Sequence, residues 1–179
     1  MRLKNRVDNL QVTGELRMAQ GATLLVEDAA SVTHIQNMSN RIVSVTATTL
    51  TVTAKDHAHR TVVLGSTHTQ TVTLPAASGT GDKYKFAVSV TGTDGSKVIQ
   101  VANTADVMTG VHIVHSTSTA EASSFLTSAT SDTYTANNTT TGGIMGTTVE
   151  IEDIASGKFL VRVDAVSSGT VATGFSASV

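Results

Sequence analysis

Apolar and polar residues alternate in short runs along most of this chain, and the polar partner is often threonine. In Thr49-Leu50-Thr51-Val52-Thr53-Ala54 the apolar side chains take the even positions and the hydroxyls the odd ones. Successive side chains of a strand point to opposite faces, so such a run has one dry face and one wet face. Threonine suits this pattern because its β-branch favours the extended backbone. About one residue in six is threonine, and the same wording returns at Gln70-Thr71-Val72-Thr73-Leu74. The pattern predicts an all-β protein whose solvent face carries hydroxyls in place of charges.

From Arg41 onward strand signals come regularly. Val43, Val45 and Ala47 stand on odd positions, whereas from Leu50 the apolar residues stand on even ones. A phase change inside one run predicts a bulge or sharp bend. Thr61 to Gly65 and Gln70 to Leu74 follow, and Pro75, the only proline, ends the second run where its missing N–H does least damage. Lys83 to Val90 alternates most cleanly, with Tyr84, Phe86, Val88 and Val90 on the apolar side. Asp94-Gly95 signals a tight turn before Lys97 to Val101, which predicts a hairpin. Val111 to Val114 reads as a short strand, Thr148 to Ile154 and Lys158 to Val166 as a hairpin around Ala155-Ser156-Gly157, and Val171 to Ser178 as a closing strand.

Two stretches differ. Residues 1–40 contain only short alternations, at Leu10-Gln11-Val12 and Leu16-Arg17-Met18, and Leu3, Val7 and Leu10 also have helical spacing. That is too little apolar surface to fold alone, and the expectation is an arm lying on a partner or wound with copies of itself. Ser116 to Gly143 is dominated by Ser, Thr, Ala and Asn, which predicts a long excursion or a mobile surface loop. No long 3.6-period segment with caps emerges. The fold expected is an antiparallel β-barrel or β-sandwich of jelly-roll or tulip-like type over residues 41–179, with an extended N-terminal arm over 1–40.

Composition narrows the chemistry. A chain of 179 residues can bury a sizeable core without covalent staples, and the absence of cysteine removes disulfides and thiolate metal sites. Net charge is −2 with only 15% charged residues, so no global field gathers nucleic acid. Sparse charge also leaves strand edges poorly guarded, a hazard that barrel closure or oligomerisation removes. Met1 to Asp8 is basic but precedes no apolar segment, and no run approaches about 18 apolar residues. The expectation is a soluble protein, without a secretory signal or a membrane partner.

Candidate sites are few. His57-Ala58-His59 would share a strand face, with Asp56 or His68 as a third metal ligand, but a polar turn explains the segment better. His112 and His115 are three apart and point to different faces. Gly79-Thr80-Gly81-Asp82-Lys83 lacks the Walker spacing and a following helix, which leaves a turn. Glu150, Glu152 and Asp153 could pass for a hydrolase acid pair, yet alternation sets Glu150 and Glu152 opposite Val149 and Ile151, on a solvated face. No G-x-S-x-G elbow is present, and the sequons at Asn37, Asn137 and Asn138 matter only after secretion. Tyr84 and Phe86 fit the core better than a sugar platform. Arg2, Lys4, Arg6 and Arg17 are basic enough to meet an acidic surface. The expectation is a protein without catalytic, cofactor or metal site.

Three segments together resemble small virion proteins of tailed bacteriophages, notably marine and cyanobacterial phages. They are Thr71 to Phe86 (TVTLPAASGTGDKYKF), Val98 to Val114 (VIQVANTADVMTGVHIV) and Thr148 to Ser178 with its DIASG turn and closing GTVATGF. In the related sequences an aromatic, often Trp, stands where Phe159 does, and Pro often stands at Gly174. The resemblance implies a capsid decoration (cement) protein, a homotrimer bound to the major capsid protein on the outer capsid surface of the virion. The capsid contact then falls on residues 1–40, with Arg2, Lys4, Arg6 and Arg17 as candidates, and the trimer core on 41–179. A trimeric tail fibre or receptor-binding tip is the alternative, and a glycan-active enzyme of the particle surface the third reading.

Overall fold

The computed structural model describes residues 41–179. These residues form twelve strands and one short helix: β1 (Ile42–Val45), β2 (Thr49–Thr51), α1 (Ala54–His57), β3 (Thr61–Leu64), β4 (His68–Thr73), β5 (Lys83–Val88), β6 (Asp94–Gln100), β7 (Val107–Ser116), β8 (Ala122–Leu126), β9 (Thr133–Ala136), β10 (Thr148–Ala155), β11 (Lys158–Ser167) and β12 (Phe175–Ser176). They build a seven-stranded sheet, β1-β3-β5-β10-β11-β7-β8, and a five-stranded sheet, β12-β9-β6-β4-β2. The all-β, sandwich-like class expected from the alternation is what the chain adopts. The sheets are mixed, however: five of the ten strand pairs are parallel.

The parallel pairs follow from a coil. From β1 to β7 the chain enters the two sheets alternately, so β1, β3 and β5 stack in parallel in one, and β2, β4 and β6 in the other. A parallel pair needs a long crossover, usually a helix. Here the crossover is a strand of the opposite sheet. This explains the phase change near Leu50: β1 and β2 lie in different sheets, so the apolar side switches because the core is now on the other side. The hairpin expected at Asp94-Gly95 does not form, for the same reason. Asp94 and Gly95 are the first residues of β6, which pairs with β4 and β9, while β5 lies in the other sheet.

Each sheet turns alternate register rows into the core, and one of them runs across the width of each sheet. Across the larger sheet Val43, Val62, Phe86, Val149, Val163, His112 and Phe125 are neighbours in turn. Across the smaller sheet the row is Leu50, Val72, Ile99, Tyr134 and Phe175. Val62, Phe86, Val149 and Val163 join Val72, Ile99 and Tyr134 in one buried cluster, so the two sheets share a core. Each fully buried Val, Ile or Phe contributes about 1.5–3 kcal/mol, which makes this cluster the main stabilising term.

Polar side chains also point inward where the chain crosses between sheets. Gln70 Nε2 donates to the carbonyls of Val45 at 3.1 Å and Ala47 at 2.9 Å, and its Oε1 accepts from Ser66 N at 3.2 Å. Lys97, 1% exposed, donates to the carbonyls of Ser66 and His68. Burial lowers its pKa from the usual lysine value. These bends would otherwise leave buried carbonyls unpaired, a cost of about 1–3 kcal/mol each.

The segment 116–143 is not a loop excursion. It holds β8, paired antiparallel with β7, and β9, paired antiparallel with β6. Its low hydrophobicity hid these strands, because β9 needs only Tyr134 and Ala136 on the core side. The C-terminal strand is shorter than the alternation predicts, with Phe175–Ser176 alone in β12. The β10–β11 hairpin forms as read, with a register shift near Ala155.

Candidate functional site

Strand alternation that fills the core leaves an opposite set of side chains on each outer face, and the two faces differ sharply. On the smaller sheet one outer row runs Thr49, Thr71, Val98, Thr135, and the next Thr51, Thr73, Gln100, Thr133, Ser176, of which Thr133 alone is buried. No residue of either row is charged. On the larger sheet the outer row runs Thr61, Lys85, Glu150, Arg162, Val111, Leu126. Most exposed charges of the strands collect on this face, Asp94 at the start of β6 being the exception on the smaller sheet.

Around that row lies an open groove of about 490 Å³, whose lining includes His59, Arg60, Lys83, Lys85, Glu150, Glu152, Leu160 and Arg162. Lys85 Nζ donates to Glu150 Oε1 at 2.8 Å, and Lys83 Nζ lies 3.4 Å from Glu152 Oε2. The hydrogen bond from Lys85, aided by the nearby charges of Arg162 and Lys83, holds the Glu150 carboxyl below its ordinary pKa despite some burial. Arg162 stands directly across from Glu150 in register, yet its guanidinium makes no hydrogen bond to any described residue. Beyond it the face turns apolar, with Leu160 45% and Leu126 77% exposed.

One end of the groove strands is anchored by a buried carboxylate. Asp153 Oδ1 accepts from Gly79 N at 2.7 Å, and Asp153 Oδ2 from Ser78 N at 3.0 Å and Thr80 N at 3.3 Å, with the Ser78 and Thr80 hydroxyls adding two more bonds. Burial works against the charged form, but donation from Ser78, Gly79 and Thr80 outweighs it and lowers the pKa. The Gly-rich turn that superficially resembled a phosphate loop therefore does hold an anion, the chain's own Asp153. Gly79 supplies the positive φ, +78°, that the wrap requires.

The histidines scatter. His57 ends α1, is buried, and its Nδ1 accepts from Thr53 N at 3.0 Å, while His59, at φ 59°, faces Asp82 at 3.4 Å. The pair thus lies on a helix end and a turn, not on one strand face. His68 pairs with Asp94 at 2.7 Å. Among the described residues no three His, Cys, Asp or Glu side chains converge as metal ligands. His115 is on the outer face, 3.3 Å from Asp164, and His112 is fully buried, so the two do point apart. Tyr84 and Phe86 are core residues, and burial, followed by the charges of Asp82 and Asp153, pushes the Tyr84 hydroxyl up to about 12. Glu150 and Glu152 lie on the solvated face expected for them. Arg2, Lys4, Arg6 and Arg17 lie outside the described residues.

His112, in the middle of β7, packs the larger sheet against strands β9 and β12 of the smaller one. Its Nδ1 accepts from Gly174 N at 3.2 Å, and its ring meets the edges of Tyr134 and Phe175 at centroid distances of 5.1 and 5.9 Å. Burial pushes its pKa down to about 4, with the nearby Thr141 carbonyl opposing weakly. Nothing in the sequence marked this residue as a fastener of the C-terminal strand. Arg162 and Leu160 also went unnoticed, although their outward phase was readable from Phe159, Val161 and Val163. Their neighbours across the sheet were not.

Compared with known proteins, the chain matches no family model, no curated protein and no solved structure.

Proposed function

We propose that this chain is a structural virion protein, a capsid decoration protein that binds the outer surface of a phage shell as a homotrimer. The observation that carries the reading is the likeness of Thr71–Phe86, Val98–Val114 and Thr148–Ser178 to such proteins. Those segments supply β10, β11 and most of β5 and β7 in the larger sheet, and β12 with parts of β4 and β6 in the smaller. The likeness thus falls on the centre of the body and not on one loop.

The physics of the body supports it. Cementing needs several modest contacts on one rigid body more than a deep pocket, because linked contacts multiply effective affinity. The strands β1, β2, β8 and β12 end the two sheets, and a symmetric oligomer would shield such edges. One shell contact is assigned to residues 1–40, with Arg2, Lys4, Arg6 and Arg17 meeting an acidic surface.

Quantitative mass spectrometry of purified particles tests the reading. Hundreds of copies per particle are expected; a handful would favour a tail fibre or receptor-binding tip, and none would end the virion reading. Deleting residues 1–20 should leave an oligomer that binds shells more weakly, and unchanged binding would refute the assignment of the contact.

A further inference from the structure

Apart from Arg60, the lining of the outer groove carries three cations, Lys83, Lys85 and Arg162, against two carboxylates, Glu150 and Glu152. Positive charge is thus gathered at one place on a chain whose net charge is −2. The two lysines are matched by the two glutamates, in pairs that are exposed and therefore weak enough to exchange partners. Arg162 differs. Its guanidinium has no hydrogen-bonded partner among the described residues, and it projects from β11, which is paired with β7 along its whole length and with β10 from Lys158 to Asp164. A planar guanidinium fork held on a rigid strand suits a carboxylate, which it can grip through two parallel bonds. Leu160, two residues along β11 on the same face, is 45% exposed, and Val111 and Leu126 continue the apolar surface from Arg162 toward the sheet edge.

We propose that this groove is a docking site for an acidic segment of a partner protein, with a carboxylate on Arg162 and an adjacent apolar side chain against Leu160 and Val111. Charge complementarity selects the occupant: a net positive groove beside exposed leucine fits a carboxylate-bearing peptide with an apolar anchor. Nucleic acid fits less well. A phosphate backbone is gripped by rows of free cations with aromatic stacking platforms, and here both lysines are paired while Tyr84 and Tyr134 are buried. The proposal rests on the shell-binding reading in naming the partner, an acidic segment exposed on the capsid surface. It adds a second contact to the one assigned to residues 1–40.

The test compares the full chain with its Arg162→Glu and Arg162→Gln variants, and with Thr73→Val on the opposite face as control. Each is measured by co-sedimentation with shells stripped of this protein, and by fluorescence anisotropy with a labelled peptide of alternating Glu and Leu. Thermal melts establish that each variant is folded. Arg162→Glu should weaken both interactions about tenfold or more, Arg162→Gln less, and Thr73→Val neither. Equal binding of shells by wild type and Arg162→Glu overturns the groove and leaves the shell-binding reading standing. Binding of the peptide but not of shells by the wild type supports the groove and overturns the shell reading. Failure to bind either overturns both. Displacement of the peptide by an equal concentration of duplex DNA overturns the acidic-peptide assignment in favour of a general polyanion site.

Discussion

The two outer faces of this sandwich come from the same rule of alternation and reach opposite surfaces. The smaller sheet shows the solvent a ladder of threonines, with Val98 and Gln100 its main interruptions. The larger sheet shows Lys, Glu and Arg in register, then leucine and valine. Hydroxyls on the outer face of a sheet are already hydrated and exert little long-range force. Charges concentrated beside exposed apolar side chains do, because each gains strength when a partner excludes water. A charge-poor chain can therefore still hold one directional surface, provided most of the charges on its strands collect on a single face.

If the charged face is an organised surface, its supports should matter most. The largest effect is expected from Gly110→Ala on β7. A Cβ there would sit 1.8 Å from the Val161 carbonyl oxygen of β11, so the parallel pair that carries Arg162 and Val111 must separate. A loss of about 3 kcal/mol or more is expected, seen as a fall of roughly 8 °C or more in melting temperature. A variant that melts like the wild type would show that the groove strands are looser than described.

Next is Asp153→Ala, which strips the donors of Ser78, Gly79 and Thr80 of their acceptor. About 2–3 kcal/mol should be lost, and amide exchange should quicken at Ser78, Gly79 and Thr80 more than at Val72 on the smaller sheet. Uniform quickening would mean that the anchor serves the whole body and not the charged face.

Acid should act instead where β7 packs on the β9–β12 edge of the smaller sheet. The folded pKa of His112, about 4, lies below its ordinary value of 6.5, so the folded chain prefers the neutral ring. Stability from this residue is complete above about pH 6.5 and drains away as pH falls toward 4. Up to about 2 kcal/mol is expected after allowance for screening. Denaturant melts at pH 7 and pH 4.5 measure the loss, and His112→Phe should reduce it, whereas an unchanged pH dependence would clear His112 of the role. The smallest effect is expected on the hydroxyl ladder itself. Thr73→Val should shift stability by no more than about 0.5 kcal/mol, because the side chain is half-buried, close to valine in shape, and its hydroxyl has no hydrogen-bond partner among the described residues to lose.

Much of this was legible in the sequence. Alternation placed Tyr84, Phe86 and Val88 inward and set Glu150 and Glu152 on the face opposite Val149 and Ile151. It could not say which strands are neighbours, because the coil pairs residues about 20 positions apart through a strand of the other sheet. Hence Asp94-Gly95 read as a hairpin turn, and the phase change at Leu50 as a bulge. Strand β9 was hidden because one tyrosine and one alanine suffice to cover its share of the core. The groove was out of reach for a related reason: Lys85, Glu150 and Arg162 are separated by 65 and 12 residues and meet only through the register of β5, β10 and β11. The anchoring of Gly79 by Asp153 likewise joins residues 74 apart.

The most direct test of the account is a difference image of particles prepared with and without this protein. The account predicts extra density at regular positions over the whole shell, with the charged face of the larger sheet toward the capsid and the threonine face toward solvent. Density confined to the tail, or a shell contact made through the threonine face, would contradict it.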